Sequence, residues 1–421
     1  MIITDIMGGL GNQLFQYATV KSLSLDKNVD FLLNLSYYNH KDAKDIAHVE
    51  FKLNHFNIDL NEKIIDLNST DEYSNIKEVV EPLSSDNFAN FMDLSKFSDD
   101  FRLRGYWQDE NYFKHNKDII KNDLKITTPP NKKNQKLIDE ITSVNGVCMS
   151  FRRGEYLDPY FIAQFGMCTE NYYKKAINFI SKKVDNPVFF IFSDDIEWID
   201  ENVKLDFPTV PVNINGLNEE HEELRLMTLC NHYIMANSSF SWWGAWLSHN
   251  KDKVVFAPTP WFNSFTKQNI LCQDWIHLKC DRSDLFKKSE KKIFELIRDD
   301  DFRNIVCEGI DTKIGRYGIS LFMLNKIAFI KFNFNNLKEV KDKKEYIIEF
   351  KLYSENKGLI KIDYGEKRKI ILGYRKGYTS KYLHLLDIDL NNLNLEINDI
   401  HLIIENITIK EVNSEFNLIF K

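Results

Sequence analysis

A change of hydrophobic period near residue 281 constrains this chain more than any other feature. Before it, short apolar runs at Ile2 to Ile6, Val147 to Phe151, Val188 to Phe192, Tyr233 to Ala236 and Val254 to Ala257 alternate with helical stretches such as Glu170 to Lys182 and His221 to Cys230. Strands spaced by helices of crossover length predict parallel sheets covered on both faces. After it, apolar residues alternate with a period of two: Ala328, Ile330, Phe332 and Phe334, then Tyr346, Ile348, Phe350 and Leu352. Similar runs follow at Leu359 to Tyr364, Lys369 to Tyr374, Ile400 to Ile404, Ile407 to Val412 and Phe416 to Phe420, which predicts an all-β sandwich. All nine prolines and all seven tryptophans precede residue 281, so a domain boundary falls there. Leu285, Phe286, Ile293, Phe294 and Ile297 have near-helical spacing and predict a connecting helix. The expected organisation is two α/β halves, 1–140 and 141–282, a linker helix over 283–301 and a β-sandwich accessory domain over 302–421.

A chain of 421 residues, 43% hydrophobic and 28% charged, has ample material for two or three cores. Its formal charge of -7 argues against a general nucleic-acid binder, whose phosphate contacts need a basic surface. Any anion must be held by a local site. The six cysteines, Cys148, Cys168, Cys230, Cys272, Cys280 and Cys307, form no C-x-x-C pair and no Cys/His group at zinc spacing, so they read as reduced thiols of a cytoplasmic protein. Met1 to Ile6 lacks the basic start of a signal peptide, and no apolar run approaches the ~20 residues of a membrane span. The expected location is the cytoplasm, or at most the periphery of the inner membrane.

Four strand-to-helix turns carry groups suited to an anion, and in parallel sheets ligands bind beyond the carboxyl ends of strands. The first is Gly8-Gly9-Leu10-Gly11-Asn12-Gln13, where glycines bring backbone N–H groups and a helix start close to an anion, or simply allow a tight packed turn. The second is Ser150-Phe151-Arg152-Arg153-Gly154-Glu155, where two guanidiniums can clamp a diphosphate, or one can pair with a structural carboxylate. In the third, Ser193-Asp194-Asp195, one carboxylate can accept the paired N–H donors of a guanine and one can cap the helix that follows. The fourth is Ser238-Ser239-Phe240-Ser241, whose hydroxyls and helix start make a phosphate cradle, with Trp242 and Trp246 assigned to the core. The ten histidines show no ligand spacing and the acidic triplets 299–301 and 387–389 lie outside the α/β region, so no essential divalent metal is expected. Tyr346, Tyr353, Tyr364, Tyr374, Tyr378 and Tyr382 can stack on sugars if exposed or fill a core.

From residue 1 to about 280 the chain resembles the bacterial α-1,2-fucosyltransferases of glycosyltransferase family 11. The resemblance rests on GGLGNQLFQYA at the start, Gly105-Tyr106-Trp107-Gln108, SFRRGEY, Glu170 to Lys175, FFIFSDD, and ANSSFSWWGAWL ending in Ala257-Pro258-Thr259-Pro260-Trp261-Phe262. It implies a GT-B-like pair of Rossmann-type domains, with the first half on the acceptor side and the second binding GDP-fucose. It also implies an inverting transfer to a galactose-containing glycan, usually to the 2-hydroxyl of a β-galactoside. By position, Arg152 meets the β-phosphate, while Ser150, standing where the family has His, and Asp194 approach the guanine. Glu155 stands where the family has Asp and is the first candidate for the base that deprotonates the acceptor, with partnership to Arg153 as the competing role. Asp158 and Glu223 are held in reserve. The donor-site expectation thus comprises Gly11, Asn12, Gln13, Ser150, Arg152, Arg153, Asp194, Ser238, Ser239, Phe240 and Ser241. The competing readings are a same-fold transferase using another GDP-sugar or acceptor hydroxyl, and an inactive glycan-binding or assembly protein.

Overall fold

The computed structural model describes residues 1–39, 50–81, 91–97, 100–154, 156, 165–216, 218–262 and 270–280, and beyond them the backbone of strands between 290 and 412. The first half holds a parallel five-stranded sheet, β1 (Ile2–Asp5), β2 (Phe31–Asn34), β3 (Ile64–Ile65), β4 (Lys77–Val80) and β5 (Phe101–Arg104), in the order β3-β2-β1-β5-β4. Helix α1 (Leu10–Lys27) crosses from β1 to β2 and ends at Asn28. That residue takes the left-handed conformation, φ 52°, from which its N–H reaches the carbonyls of the last turn. The shorter helices of this half are α2 (Ser36–Asn39), α3 (Lys117–Asp123) and α4 (Lys132–Thr142).

The second half holds a parallel six-stranded sheet, β6 (Asn145–Phe151), β7 (Pro187–Ser193), β8 (Thr209–Pro211), β9 (His232–Ile234), β10 (Val255–Thr259) and β11 (Ile276–Lys279), in the order β11-β10-β9-β6-β7-β8. Its helices are α5 (Glu170–Lys183), α6 (Ile196–Asn202), α7 (Glu220–Leu229) and α8 (Ser239–Leu247). Successive residues of its central strands feed two different cores. Val147, Met149, Phe189 and Ile191 face one, while Cys148, Phe190 and Phe192 face the other, as expected where a continuous apolar strand is covered on both sides.

The first sheet has two faces of different composition. Phe101 and Leu103 are fully buried against the α1 side, but Arg102 and Arg104 stand on the opposite face beside Glu78. That face is polar at Asp5, Arg102 and Arg104, although Ile3, level with Arg102, is fully buried. The two halves are nonetheless fused, because one core runs from Ile2, Phe15 and Phe113 of the first into Trp242, Trp243 and Trp246 of the second. Phe113 stacks on Trp243 at 5.5 Å, and Phe15 meets Trp242 at 4.5 Å.

The C-terminal region forms two antiparallel sheets. The longest pairing joins Lys344–Ser354 to Gly377–Ile388 on one side and to Leu402–Val412 on the other. The helix expected over 283–301 is corrected at its centre: Glu290–Glu295 is a strand paired antiparallel with 408–412. Tertiary pairing along a long neighbouring strand overrides the local helical spacing. The strand expected at Phe416 to Phe420 and the side chains of the six C-terminal tyrosines lie outside the described residues. No helix among the described residues is long and apolar enough to cross a membrane.

Candidate functional site

The strand order sets three of the four turns side by side. β9, β6 and β7 are neighbours, and neighbouring strands lie about 4.8 Å apart, so their three tips span roughly 10 Å. The Ser238 turn, the Arg152 turn and the Asp194 turn therefore share one edge. Contacts join them. Asp194 Oδ2 pairs with Arg152 Nη1 at 2.8 Å, and Asp194 Oδ1 accepts the Arg153 backbone N–H at 2.8 Å. The Arg152 guanidinium lies 5.6 Å from the Tyr156 ring. The Tyr156 hydroxyl in turn donates to the Asn237 carbonyl at 3.0 Å, next to Ser238. Asn237 is itself locked, donating from Nδ2 to the carbonyls of Phe165, Gly166 and Trp261. Gly154 has no room for a side chain, since a Cβ there would lie 2.7 Å from Asp194 Oδ2.

The two arginines of the expected clamp sit in different surroundings. Arg152 has a side chain 35% exposed at the strand tip. Arg153 is 5% exposed, donates from Nε to Asp195 Oδ2 at 3.0 Å and lies 3.7 Å over the Trp198 ring. Asp195 Oδ1 accepts the Trp198 N–H and so caps α6, which settles which of the two acids is the cap. Ser150 is 2% exposed and its hydroxyl accepts the Ala236 N–H at 2.9 Å, tying β6 to the segment after β9.

The glycine turn supports the site from behind. Gln13 is fully buried, donates to the Gly8 and Glu50 carbonyls and accepts the Lys52 N–H, so it holds the turn in place. Gly11 presses on the fourth turn: a Cβ there would lie 2.6 Å from Phe240 N and 2.7 Å from Ser239 Oγ. Its carbonyl accepts from Trp243 Nε1 at 3.0 Å, so Trp243 belongs to the core with Trp242 and Trp246. Asn12 Oδ1 accepts from Ser239 Oγ at 3.1 Å and from Gln108 Nε2 at 2.8 Å. Ser238 begins α8 without bonding its own helix through its side chain, and Ser241 is buried one turn in.

One group gains importance. Glu223, on α7, is pushed up to about 7 by burial, then by the charges of Glu220 and Asp194, with Arg152 pulling the other way. A carboxyl raised into the neutral range thus lies within electrostatic reach of the Arg152–Asp194 pair. Glu155 and Asp158 lie outside the described residues. At the start of α7, His221 stacks on His55 of the first half, with centroids 3.6 Å apart and planes 5° from parallel. Burial pushes His221 down to about 4, with the neighbouring His55 adding to the effect. Arg225 grips Glu222 with both Nε and Nη2 and also meets the Thr128 carbonyl. Sequence reading missed Tyr156 and Trp198, whose only signal was an aromatic close to the arginines and acids.

Among the described residues, Glu110, Cys272 and Asp274 form a trio with ligand atoms within 4.8 Å of one another. Burial drives the Cys272 thiol well above its ordinary range, and Glu110 already accepts from Trp246 Nε1 at 3.2 Å, so the trio suits packing better than a cation.

The family described as "Glycosyl transferase family 11" matches residues 1–279. An alpha-1,2-colitosyltransferase of Escherichia coli is 32% identical over 276 residues, 62% of this chain and 92% of that protein. The O-antigen biosynthesis glycosyltransferase WbnK of Escherichia coli is 30% identical over 311 residues, 65% of this chain and 99% of that protein. Among solved structures, the fucosyltransferase NodZ from Bradyrhizobium is 12% identical, with a TM-score of 0.33 over 59% of this chain and 93% of that one.

Proposed function

Because the chain belongs to glycosyltransferase family 11, we propose that it moves L-fucose, or a close deoxyhexose such as colitose, from a GDP-linked donor to a galactose-type acceptor in O-antigen synthesis. The galactose 2-hydroxyl is the position we assign as acceptor, in line with the α-1,2 linkage named for these relatives. We read the two parallel-sheet halves as a GT-B-like pair of Rossmann-type domains and the C-terminal sheets as a β-sandwich. The five described cysteines are all buried, and we assign the chain to the cytoplasm from its sequence.

One observation carries the reading: Arg152, held at 2.8 Å by Asp194, stands on the strand tip beside the α8 helix start. A positive side chain and a ring of N–H and hydroxyl groups on one edge suit a diphosphate that gains charge as it leaves. The acceptor oxygen attacks the anomeric carbon from the face opposite GDP, a carboxylate takes its proton, and Arg152 with the Ser238 to Ser241 turn stabilises the departing diphosphate. Arg152 supplies the cation, so turnover is expected to survive EDTA; loss of activity restored by magnesium would reverse that part.

Glu155 is the base assigned from sequence. Glu223 is the second reading, favoured by its electrostatic coupling to Arg152 and by a pKa raised to about 7, where a general base works best. Comparing Glu155→Gln with Glu223→Gln decides between them: the base is the one whose loss lowers kcat without changing GDP affinity. Offering GDP-fucose, the corresponding colitose donor and GDP-mannose with lactose as acceptor tests the whole reading. Transfer from none of them would end it.

A further inference from the structure

The Arg102 face of the first sheet contains a cavity of about 340 Å³ whose lining includes Asp5, Met7, Asn34, Tyr37, Arg102 and Arg104. It opens at the carboxyl ends of β1, β2 and β5, where parallel sheets place ligands, yet none of its groups belongs to the Arg152 turn. We propose that this cavity binds the neutral, hydroxyl-rich end of the acceptor glycan; the inference rests on the transferase reading given above.

The wall is a rigid lattice. Asp5 accepts from Arg102 Nε at 2.8 Å and Nη2 at 2.9 Å and from Asn34 Nδ2 at 2.7 Å, and pairs with Arg104 Nε at 3.4 Å. Glu78 takes Arg102 Nη1 at 3.1 Å and Arg104 Nη1 at 3.1 Å. Asn34 Oδ1 holds the Ser36 hydroxyl at 2.6 Å and the Leu67 N–H at 3.1 Å. Among the described residues two guanidiniums are therefore matched by two carboxylates, a balance that favours a neutral ligand over a phosphate or an acidic sugar. What the lattice does offer is fixed polar donors: Arg104 is half exposed, and its Nη2 has no partner among the described residues. Sugar hydroxyls and ring oxygens accept such bonds without bringing charge.

An aromatic face completes the cavity. The Tyr37 ring stands edge-on to Tyr38 at 5.3 Å, and the Tyr38 hydroxyl donates to the Gly8 carbonyl at 3.0 Å. Gly8 opens the same turn whose Gly11 packs against Ser239 and Phe240. One short turn thus walls the cavity through Met7 and touches the α8 start through Gly11, so a glycan seated here lies next to the donor edge. Pre-organised polar groups beside one aromatic ring are what a small-ligand pocket uses to fix orientation.

The full-length chain tests this with Tyr37→Ala and Arg104→Ala, both partly exposed and on different walls. Lactose is the probe, followed by saturation-transfer NMR and by transfer kinetics, with GDP affinity measured by calorimetry. Each variant is expected to weaken lactose about tenfold, the equivalent of roughly 1.4 kcal/mol, with GDP affinity at the wild-type value. Wild-type lactose affinity in both variants, no lactose binding by the wild-type chain, or a fall in GDP affinity equal to that for lactose would each overturn the assignment. If lactose binds and the variants lose it while no GDP-sugar is consumed, the cavity stands and the transferase reading falls.

Discussion

Both parallel sheets present a pair of arginines at a strand end, and the two pairs behave differently because of spacing. Arg102 and Arg104 are two residues apart on β5, so they share a face and meet the same two acids, Asp5 and Glu78. Arg152 and Arg153 are consecutive, so they point to opposite sides. Arg153 follows Phe151 onto the Trp198 side, and both touch that ring. Arg152 is left at the cleft with Asp194. An adjacent pair thus gives one buried anchor and one group at the cleft, whereas an alternate pair gives a two-cation lattice that neutralises itself locally.

The sharpest way to break this contrast is to truncate the consecutive pair one residue at a time. Arg152→Ala is expected to lower kcat about 10²–10³-fold, roughly 3–4 kcal/mol of transition-state stabilisation. Its unfolding free energy should stay within about 1 kcal/mol of wild type, since the pair it forms is partly exposed. Arg153→Ala is expected to do the reverse, costing about 3 kcal/mol in urea unfolding, because Asp195 loses its buried partner and Trp198 its cation. Equal losses of stability in the two variants would show that parity does not separate their roles.

A smaller effect probes the junction of the halves. Gly11→Ala forces a methyl into the Ser239–Phe240 backbone and should cost about 1–3 kcal/mol by overpacking. It should also raise the KM for donor if the α8 start holds the diphosphate, whereas Gly9→Ala, which meets nothing within 4 Å, serves as its control. A Gly11→Ala variant as stable and active as the Gly9→Ala control would mean that the two turns move independently.

The second half was far more legible in sequence than the first, for a physical reason. Runs such as Val188 to Phe192 are apolar on both faces and leave little choice of element, and the strand found is Pro187–Ser193. Helix Glu170–Lys183 likewise falls within one residue of the expected span. Phe101 to Arg104 offers only two apolar residues, so the strand was invisible until Asp5, 97 positions away from Arg102, closed the ion pair. Residue type alone does not show which polar side chains serve the backbone: Ser150 and Gln13 bond N–H and carbonyl groups of neighbouring segments. The burial of Arg153 beside Trp198 is equally hidden in the sequence.

The smallest effect concerns protons at α7 and discriminates its two perturbed groups. His221, depressed to about 4, stays neutral in the folded chain, so its contribution is full above the unfolded value near 6.5 and is lost as pH falls toward 4. Glu223 has the opposite sign: with a folded pKa raised to about 7, its contribution is full below the unfolded value near 4.5 and is lost as pH rises through 7. The two slopes oppose each other between pH 4.5 and 6.5, which flattens the wild-type profile there. Glu223→Gln removes one of them, so urea unfolding of the variant should climb more steeply with pH across that window. Its stability relative to wild type should then increase by about 1 kcal/mol between pH 4.5 and 8, after allowance for partial exposure. A difference that is constant with pH would mean that Glu223 titrates normally, and would remove the main physical support for it as the base.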